Sequence, residues 1–66
     1  MKNTENILQK RWMNPTDLEE EFGISKSTQA KMRMNRTIPY SKISKFVKYD
    51  RVEIDKWLED NKVKVG

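Results

Sequence analysis

The 66-residue chain contains no cysteine and no histidine, and it has only two glycines and two prolines. Without cysteine, no disulfide can reinforce a small core, and the thiolate zinc sites common in small domains are excluded. Without histidine, the commonest general base and the commonest metal ligand are missing. The run Glu19-Glu20-Glu21 forms no catalytic group, because neighbouring residues on a helix point about 100° apart. We therefore expect a domain without enzymatic activity, metal or cofactor.

Long apolar runs are missing as well. No segment approaches the roughly 20 apolar residues of a membrane-spanning helix, and the polar start, Met1–Glu5, lacks the apolar stretch of a signal peptide. A chain this short forms one domain and buries only roughly 60% of the surface that its unfolded form exposes. We expect a cytoplasmic protein that makes no membrane contact and depends on a small core with well-made helix ends.

Acidic residues are missing from one continuous segment, Phe22–Tyr49, although the chain has ten of them. We call this segment the acid-free window. Its seven basic residues are Lys26, Lys31, Arg33, Arg36, Lys42, Lys45 and Lys48. Because the whole chain carries a net charge of +4, the segments outside the window sum to −3. Such a basic segment favours a polyanionic partner, most often nucleic acid, and the alternative is a solvated positive face.

Capping residues predict two short helices joined by a tight turn. Asn14 suits the N-cap of a helix at Pro15–Phe22, whose first position is a proline. Gly23 supplies the left-handed residue that ends this helix. Ser25 would cap a second helix at about Lys26–Met34. This order of elements has the spacing of a helix-turn-helix, in which the second helix can enter the major groove of DNA.

On a helical wheel, the second helix turns Thr28 and Met32 toward the core and presents an outer face without carboxylates. The candidate DNA contacts on this helix are Lys26, Ser27, Gln29, Ala30 and Arg33, and we add the window cations Lys31 and Arg36. Arginine pairs with guanine and glutamine with adenine, while a small alanine permits close approach. The alternative is a plain helical hairpin whose polar side is only hydrated.

The segment Tyr40–Tyr49 is predicted to form a β-hairpin with a three-residue loop, Ser44–Phe46. This register pairs Ile43 with Val47, which collects the apolar side chains on one face, whereas a two-residue turn would separate them. The candidate DNA contacts of the hairpin are Lys42, Ser44, Lys45 and Lys48, which would bind phosphates or the minor groove. The alternatives are that the lysines only protect an edge strand and that Phe46 meets a protein partner.

The remaining segments are a last helix and the two termini. Asp50 would cap the last helix, whose apolar stripe includes Trp57. Trp12 and Trp57 are interpreted as core residues and not as stacking platforms for single strands. We divide the chain into an N-terminal arm or short helix at 1–11, a domain at 12–61 and a tail at 62–66.

Several short segments follow one another in a recognisable order over about Trp12–Asp60. They are Asp17-Leu18-Glu19, Phe22-Gly23-Ile24-Ser25-Lys26-Ser27-Thr28, Ile38-Pro39-Tyr40, Lys42-Ile43, Val47-Lys48-Tyr49 and Ile54-Asp55-Lys56-Trp57-Leu58. With this combination, the chain resembles the small winged helix-turn-helix proteins of the excisionase and MerR-like superfamily, including AlpA-like phage regulators. The chain departs from that pattern at Ser44-Lys45, where the family often has Gly-Gly, and at Gln29, where it often has an apolar residue.

The resemblance implies a mostly α fold with a small β-hairpin: a helix-turn-helix, a two-stranded wing and a C-terminal helix. It implies that the second helix enters the major groove and that the wing lies on the backbone or in the minor groove. On this basis Gln29 either reads bases or braces the turn. The MerR effector domain and coiled coil are not part of the chain, so no small-molecule effector is expected.

The functional hypothesis is sequence-specific binding of double-stranded DNA by a phage or mobile-element protein. The role would be that of an excisionase-type architectural factor or of a small transcriptional regulator. An integrase or recombinase, or further copies of the protein on DNA, are possible partners. The alternative is a protein-interaction module, such as an integrase partner or an anti-repressor, that uses the basic face and Phe46.

Overall fold

The computed structural model describes residues 10–63. This part of the chain contains three helices, α1 (Pro15–Phe22), α2 (Lys26–Met34) and α3 (Arg51–Asp60). Its strands are β1 (Trp12–Met13), β2 (Ser41–Ile43) and β3 (Phe46–Asp50), which form one antiparallel sheet with β3 in the centre. The predicted three helices and β-hairpin are present, but the fold is mixed α/β and not mostly α, because the prediction missed β1.

Local capping explains the helix ends, and the predicted bounds of α1 and α2 are confirmed. Asn14 Oδ1 accepts a hydrogen bond from Asp17 N at 2.8 Å, and Asp17 Oδ2 accepts one from Asn14 N at 3.0 Å. Gly23 then ends α1 with a positive φ of 72°, a conformation that costs glycine little. Ser25 Oγ accepts from Thr28 N at the start of α2, and the Asp50 side chain accepts from Val52 N at the start of α3.

The predicted register of the hairpin is wrong. Ile43 pairs with Phe46 and Lys42 pairs with Val47, so the turn contains only Ser44 and Lys45. Ser44 has a positive φ of 55°, as the first central position of a tight hairpin turn requires. The prediction assumed that Ile43 needs a buried partner, but β2 is an exposed edge strand along its whole length.

The strand β1 has no sequence signal because it is two residues long and pairs with a distant segment. Met13 lies opposite Tyr49 and Trp12 lies opposite Asp50. Arg51 N also donates to the Arg11 carbonyl oxygen at 2.7 Å. The strand therefore joins the segment before α1 to the end of β3 and the start of α3.

The core is formed by five buried apolar side chains, which are Met13, Leu18, Ile38, Tyr49 and Ile54. Trp57 packs against this cluster as predicted, and its Nε1 donates to the Thr37 carbonyl oxygen at 2.7 Å. The prediction that Trp12 is a core residue is wrong, because Trp12 lies on the edge strand β1 and is 45% exposed.

The predicted arm or short helix at 1–11 lies almost entirely outside the described residues, as does the end of the predicted tail, 64–66. Within residues 10–63, no helix has the length and apolar character needed to cross a membrane.

Candidate nucleic-acid interface

The orientation of α2 differs from the predicted one. Gln29 is fully buried, and Met32 packs against the core. Thr28, which was expected to face the core, is exposed and accepts a hydrogen bond from Ser25 Oγ at 2.9 Å. The helix is thus rotated about its axis so that Gln29, and not Thr28, lies at the centre of its inner face.

Gln29 joins three separate parts of the chain. Its Nε2 donates to the carbonyl oxygens of Pro15 at 3.0 Å and of Ile24 at 2.9 Å. Its Oε1 accepts a hydrogen bond of 3.0 Å from the hydroxyl of Tyr49. Both amide donors are used and the side chain has no exposed surface, so it cannot read an adenine edge. The prediction of Gln29 as a DNA contact is wrong: the residue braces α1, the turn and β3.

Arg33 lies where α2 meets the sheet. One of its guanidinium nitrogens donates to the Tyr49 hydroxyl, and its guanidinium carbon is 5.9 Å from the centre of the Tyr40 ring. The side chain is half-buried, and it is not on the outer face where the wheel placed it. Since a guanidinium has five N–H donors, the bond to Tyr49 leaves donors that can bind a phosphate at this junction.

The outer face of α2 is centred on Ser27, Lys31 and Met34. These residues are spaced i, i+4, i+7, which places them on one side of a helix, opposite to Gln29. All three are exposed, and Met34 is 82% exposed. Sequence reasoning placed Met34 on the outer side but did not select it as a DNA contact, although this spacing is visible in the sequence.

The C-terminal end of α2 carries one of the window cations in an unusual backbone conformation. Arg36 has a positive φ of 58°. The bonds from Thr37 N to Met32 O and from Arg36 N to Arg33 O close the end of the helix in the pattern of a Schellman motif. Glycine usually occupies this position, so an exposed arginine is held here at some conformational cost.

The predicted DNA contacts thus divide by exposure. The exposed ones are Lys26, Ser27, Lys31, Arg36, Lys42, Ser44 and Lys45, the half-buried ones are Ala30, Arg33 and Lys48, and Gln29 is buried. The predicted pairing of Ile43 with Val47 would place Lys42 and Lys48 on the same face of the hairpin. They lie on opposite faces, because Lys42 pairs with Val47 while Lys48 pairs with Ser41. The hairpin therefore carries positive charge on both faces and, through Lys45, at its tip.

Ion pairs in residues 10–63 all lie outside the acid-free window. They join Lys10 to Asp17 at 2.8 Å, Arg11 to Asp50 at 3.1 Å, and Arg51 to Glu21 at 2.9 Å. Within the described part of the chain, none of the window cations has a carboxylate within ion-pair distance. The positive charge of α2 and the hairpin is therefore not compensated by ion pairs in the described residues, although Lys48 lies close enough to Asp17 to help lower the pKa of that carboxyl group.

The hydrogen bonds of these pairs also shift the pKa values of their carboxyl groups. The Lys10 ammonium and the Asn14 backbone N–H lower the pKa of Asp17. The Arg11 guanidinium, which binds both carboxylate oxygens, lowers the pKa of Asp50. These carboxylates are consequently ionised at neutral pH, so that Asp17 pairs with Lys10 and Asp50 with Arg11.

Residues 10–63 contain no group of three or more acidic side chains that could hold a metal ion. The chain matches no protein-family model, no curated protein and no solved structure. The interpretation of the basic surface therefore depends on its geometry and its charge.

Proposed function

We propose that the protein is a double-stranded DNA-binding domain of the winged helix-turn-helix type. In this proposal α2 enters the major groove, and the β2–β3 hairpin acts as a wing against the sugar-phosphate backbone. The observation that carries the proposal is the separation of charges: all ion pairs of the described residues lie in the flanks, while the exposed cations of α2 and the hairpin have no carboxylate within ion-pair distance. Such a surface is complementary to the phosphates of a duplex.

The outer face of α2 has the dimensions and chemistry that major-groove binding needs. A groove about 12 Å wide admits one helix, and the exposed side chains of Ser27 and Lys31 can hydrogen-bond to base edges. Ala30 permits close approach and can touch a thymine methyl group. Because Gln29 is occupied in the core, base selection would depend on these residues.

The buried bonds of Gln29 and Tyr49 give this helix a fixed position. Tyr49 belongs to β3, and its hydroxyl accepts from Arg33 and donates to Gln29. Since both partners lie on α2, the helix and the hairpin are joined as one unit. A rigid connection of this kind lets one protein contact two neighbouring grooves without the entropic cost of ordering flexible elements on binding.

The test is a salt titration of binding to a fluorescently labelled duplex of about 30 base pairs with random sequence, followed by anisotropy. Non-specific binding with a Kd of about 10⁻⁴–10⁻⁶ M is expected at physiological salt, and the affinity should fall steeply as salt rises. Replacing the exposed hairpin residues Lys42 and Lys45 together by alanine should reduce the slope of log K against log salt by about two units, since each phosphate contact contributes about 0.9.

The matched control replaces Lys56 and Lys62 together by alanine, which removes two exposed lysines outside the window. This variant should keep the wild-type slope. If the slope falls equally in the control and in the hairpin variant, the effect comes from net charge and not from the position of the lysines. Undetectable binding of the wild type at about 50 mM salt would refute the proposal.

Whether such a protein acts in excision or in transcription is a separate question from whether it binds DNA. The two roles require a defined target, and the proposed readers Ser27 and Lys31 predict one. A duplex selected from a random pool should be bound more tightly than the pool, and Lys31→Ala should lose about 1–3 kcal/mol of that preference if Lys31 contacts a base. An equal loss on both DNAs would make Lys31 a phosphate contact.

A further inference from the structure

The tip of the hairpin carries an apolar pair that the core does not use. Ile43 and Phe46 face each other across β2 and β3, directly before and after the turn. They are 70% and 58% exposed. Val47 and Tyr49 occupy the opposite face of β3 and pack in or against the core. Single exposed apolar residues are ordinary, but here two lie together at the most distant point of a protruding element.

The surroundings of this pair are exclusively basic or neutral. Lys45 Nζ is 5.9 Å from the centre of the Phe46 ring, Lys42 is the neighbour of Ile43, and Lys48 shares the face of Phe46. The acid-free window includes the entire hairpin up to Tyr49. A ligand that fits this tip has negative charge at its periphery and flat apolar surfaces inside, which describes the base stack of a nucleic-acid duplex with its phosphates.

The tip is also at a suitable distance from α2. Tyr49 is held by α2 through Gln29 and Arg33, and the turn lies about four residues further along the strand. At about 3.4 Å per residue the tip is about 14 Å beyond this contact. Half a turn of DNA, which separates a major groove from the next minor groove, is about 17 Å. The length of the hairpin beyond α2 is therefore of the size needed to reach the adjacent minor groove of a duplex bound by α2.

We infer that Phe46, supported by Ile43, is a wedge that enters between two base pairs of the bound duplex from the minor groove. Apolar side chains inserted in this way partly unstack a base step. Lys45, which lies over the ring in the unbound protein, would turn to a phosphate and uncover the ring. This exchange costs little, because an exposed cation–π contact is weak. The inference rests on the proposed DNA binding and assigns the wing tip a role within it.

Insertion between base pairs unwinds the duplex, and this can be measured without knowledge of the target sequence. A closed circular plasmid is relaxed by a type I topoisomerase in the presence of the full chain, and the deproteinised topoisomers are separated on a gel. The wild type should shift the distribution to lower linking number. Phe46→Ser should lose most of this shift at equal DNA occupancy, which is measured by anisotropy in parallel, while Phe46→Leu should keep part of it.

The matched control is Val52→Ser, which removes an apolar side chain of similar exposure from α3, outside the hairpin. It should shift the topoisomers as the wild type does. Circular dichroism melting curves establish that each variant is folded, which is expected because Phe46 lies outside the core.

Each outcome decides the inference. A wild type that binds the plasmid without changing its linking number overturns the wedge and leaves the proposed DNA binding intact. A Phe46→Ser variant that unwinds the plasmid as much as the wild type also overturns the wedge. In that case Ile43 and Phe46 would be a contact for a protein partner. Absence of any binding by the wild type overturns the proposed function itself.

Discussion

The flanks of the chain, residues 10–21 and 50–63, and its acid-free window differ in how they use charge. In the flanks, each ion pair connects segments that are distant in sequence or closes a helix end: Arg51 binds Glu21, Arg11 binds Asp50, and Lys10 binds the capping residue Asp17. In the window, Arg33 is bonded to a neutral hydroxyl, and no cation forms an ion pair within the described residues. Charge in the flanks therefore supports the fold, whereas charge in the window forms no ion pair within the described residues.

The difference also concerns buried polar groups. The window contributes Gln29, a neutral residue with no exposed surface, to the interior, and the C-terminal flank contributes Asp50, whose charge Arg11 balances. A neutral amide lets the window remain basic at its surface while it is still fastened to α1 and β3. Substitutions that separate folding from DNA binding test this division.

The largest effect is expected for Gln29→Ala. Removing the amide leaves the Pro15 and Ile24 carbonyl oxygens and the Tyr49 hydroxyl without their partner in the interior. We expect the free energy of unfolding, measured in urea, to fall by about 2–4 kcal/mol. Ser27→Ala, on the exposed side of the same helix, should change it by less than about 0.5 kcal/mol. An unchanged stability of Gln29→Ala would mean that the bracing network contributes little.

Acid is expected to weaken the flanks first. The pKa values of Asp17 and Asp50 are lowered in the folded protein, so their contribution to stability is present above the unfolded pKa, about 3.9, and disappears as the pH falls through the lower folded values. The free energy of unfolding should therefore decrease below about pH 4. Asp17→Asn should be less stable than the wild type at pH 7, and the two should converge in acid. A constant difference down to pH 2.5 would contradict the assignment of Asp17.

The third prediction compares two variants, in each of which one cation, from the flanks or from the window, is replaced by methionine. Arg51→Met removes two hydrogen bonds to Glu21 and one to the Lys10 carbonyl oxygen, and it should cost about 0.5–1.5 kcal/mol of unfolding free energy. Lys31→Met should leave the stability unchanged and weaken DNA binding. Urea denaturation measures the stability of both variants, and duplex anisotropy measures their affinity for DNA. A loss of both stability and affinity in each variant would contradict the comparison.

The smallest effect is expected at the hairpin turn. Ser44→Gly relieves a left-handed backbone that costs roughly 1–2 kcal/mol for a residue with a side chain, but glycine also gains freedom in the unfolded chain. We expect a net stabilisation below about 1 kcal/mol. Lys45→Gly, at the neighbouring position without a positive φ, should destabilise. If thermal melting shows the reverse order, the two-residue turn is not the one that forms.

Local sequence was sufficient for the ends of the helices. Asn14, Ser25 and Asp50 accept hydrogen bonds from backbone N–H groups two or three residues away, and Gly23 ends α1 by its own conformation. Such features depend on neighbouring residues only. The acid-free window is likewise a property of composition, and it was sufficient to select the surface that we propose for DNA.

Tertiary contacts decided how these elements are turned. The rotation of α2 follows from Gln29 meeting Tyr49, twenty residues away, and helical periodicity alone could not rank a glutamine above a threonine for the inner face. The strand β1 likewise follows from Met13 and Tyr49 pairing inside the core, because pairing between distant segments leaves no mark at short range. The hairpin register depends on β2 being an exposed edge strand, which the alternation of apolar residues did not show. Thus composition and local capping determined three helices and a basic surface, and packing around Tyr49 decided which side chains that surface presents.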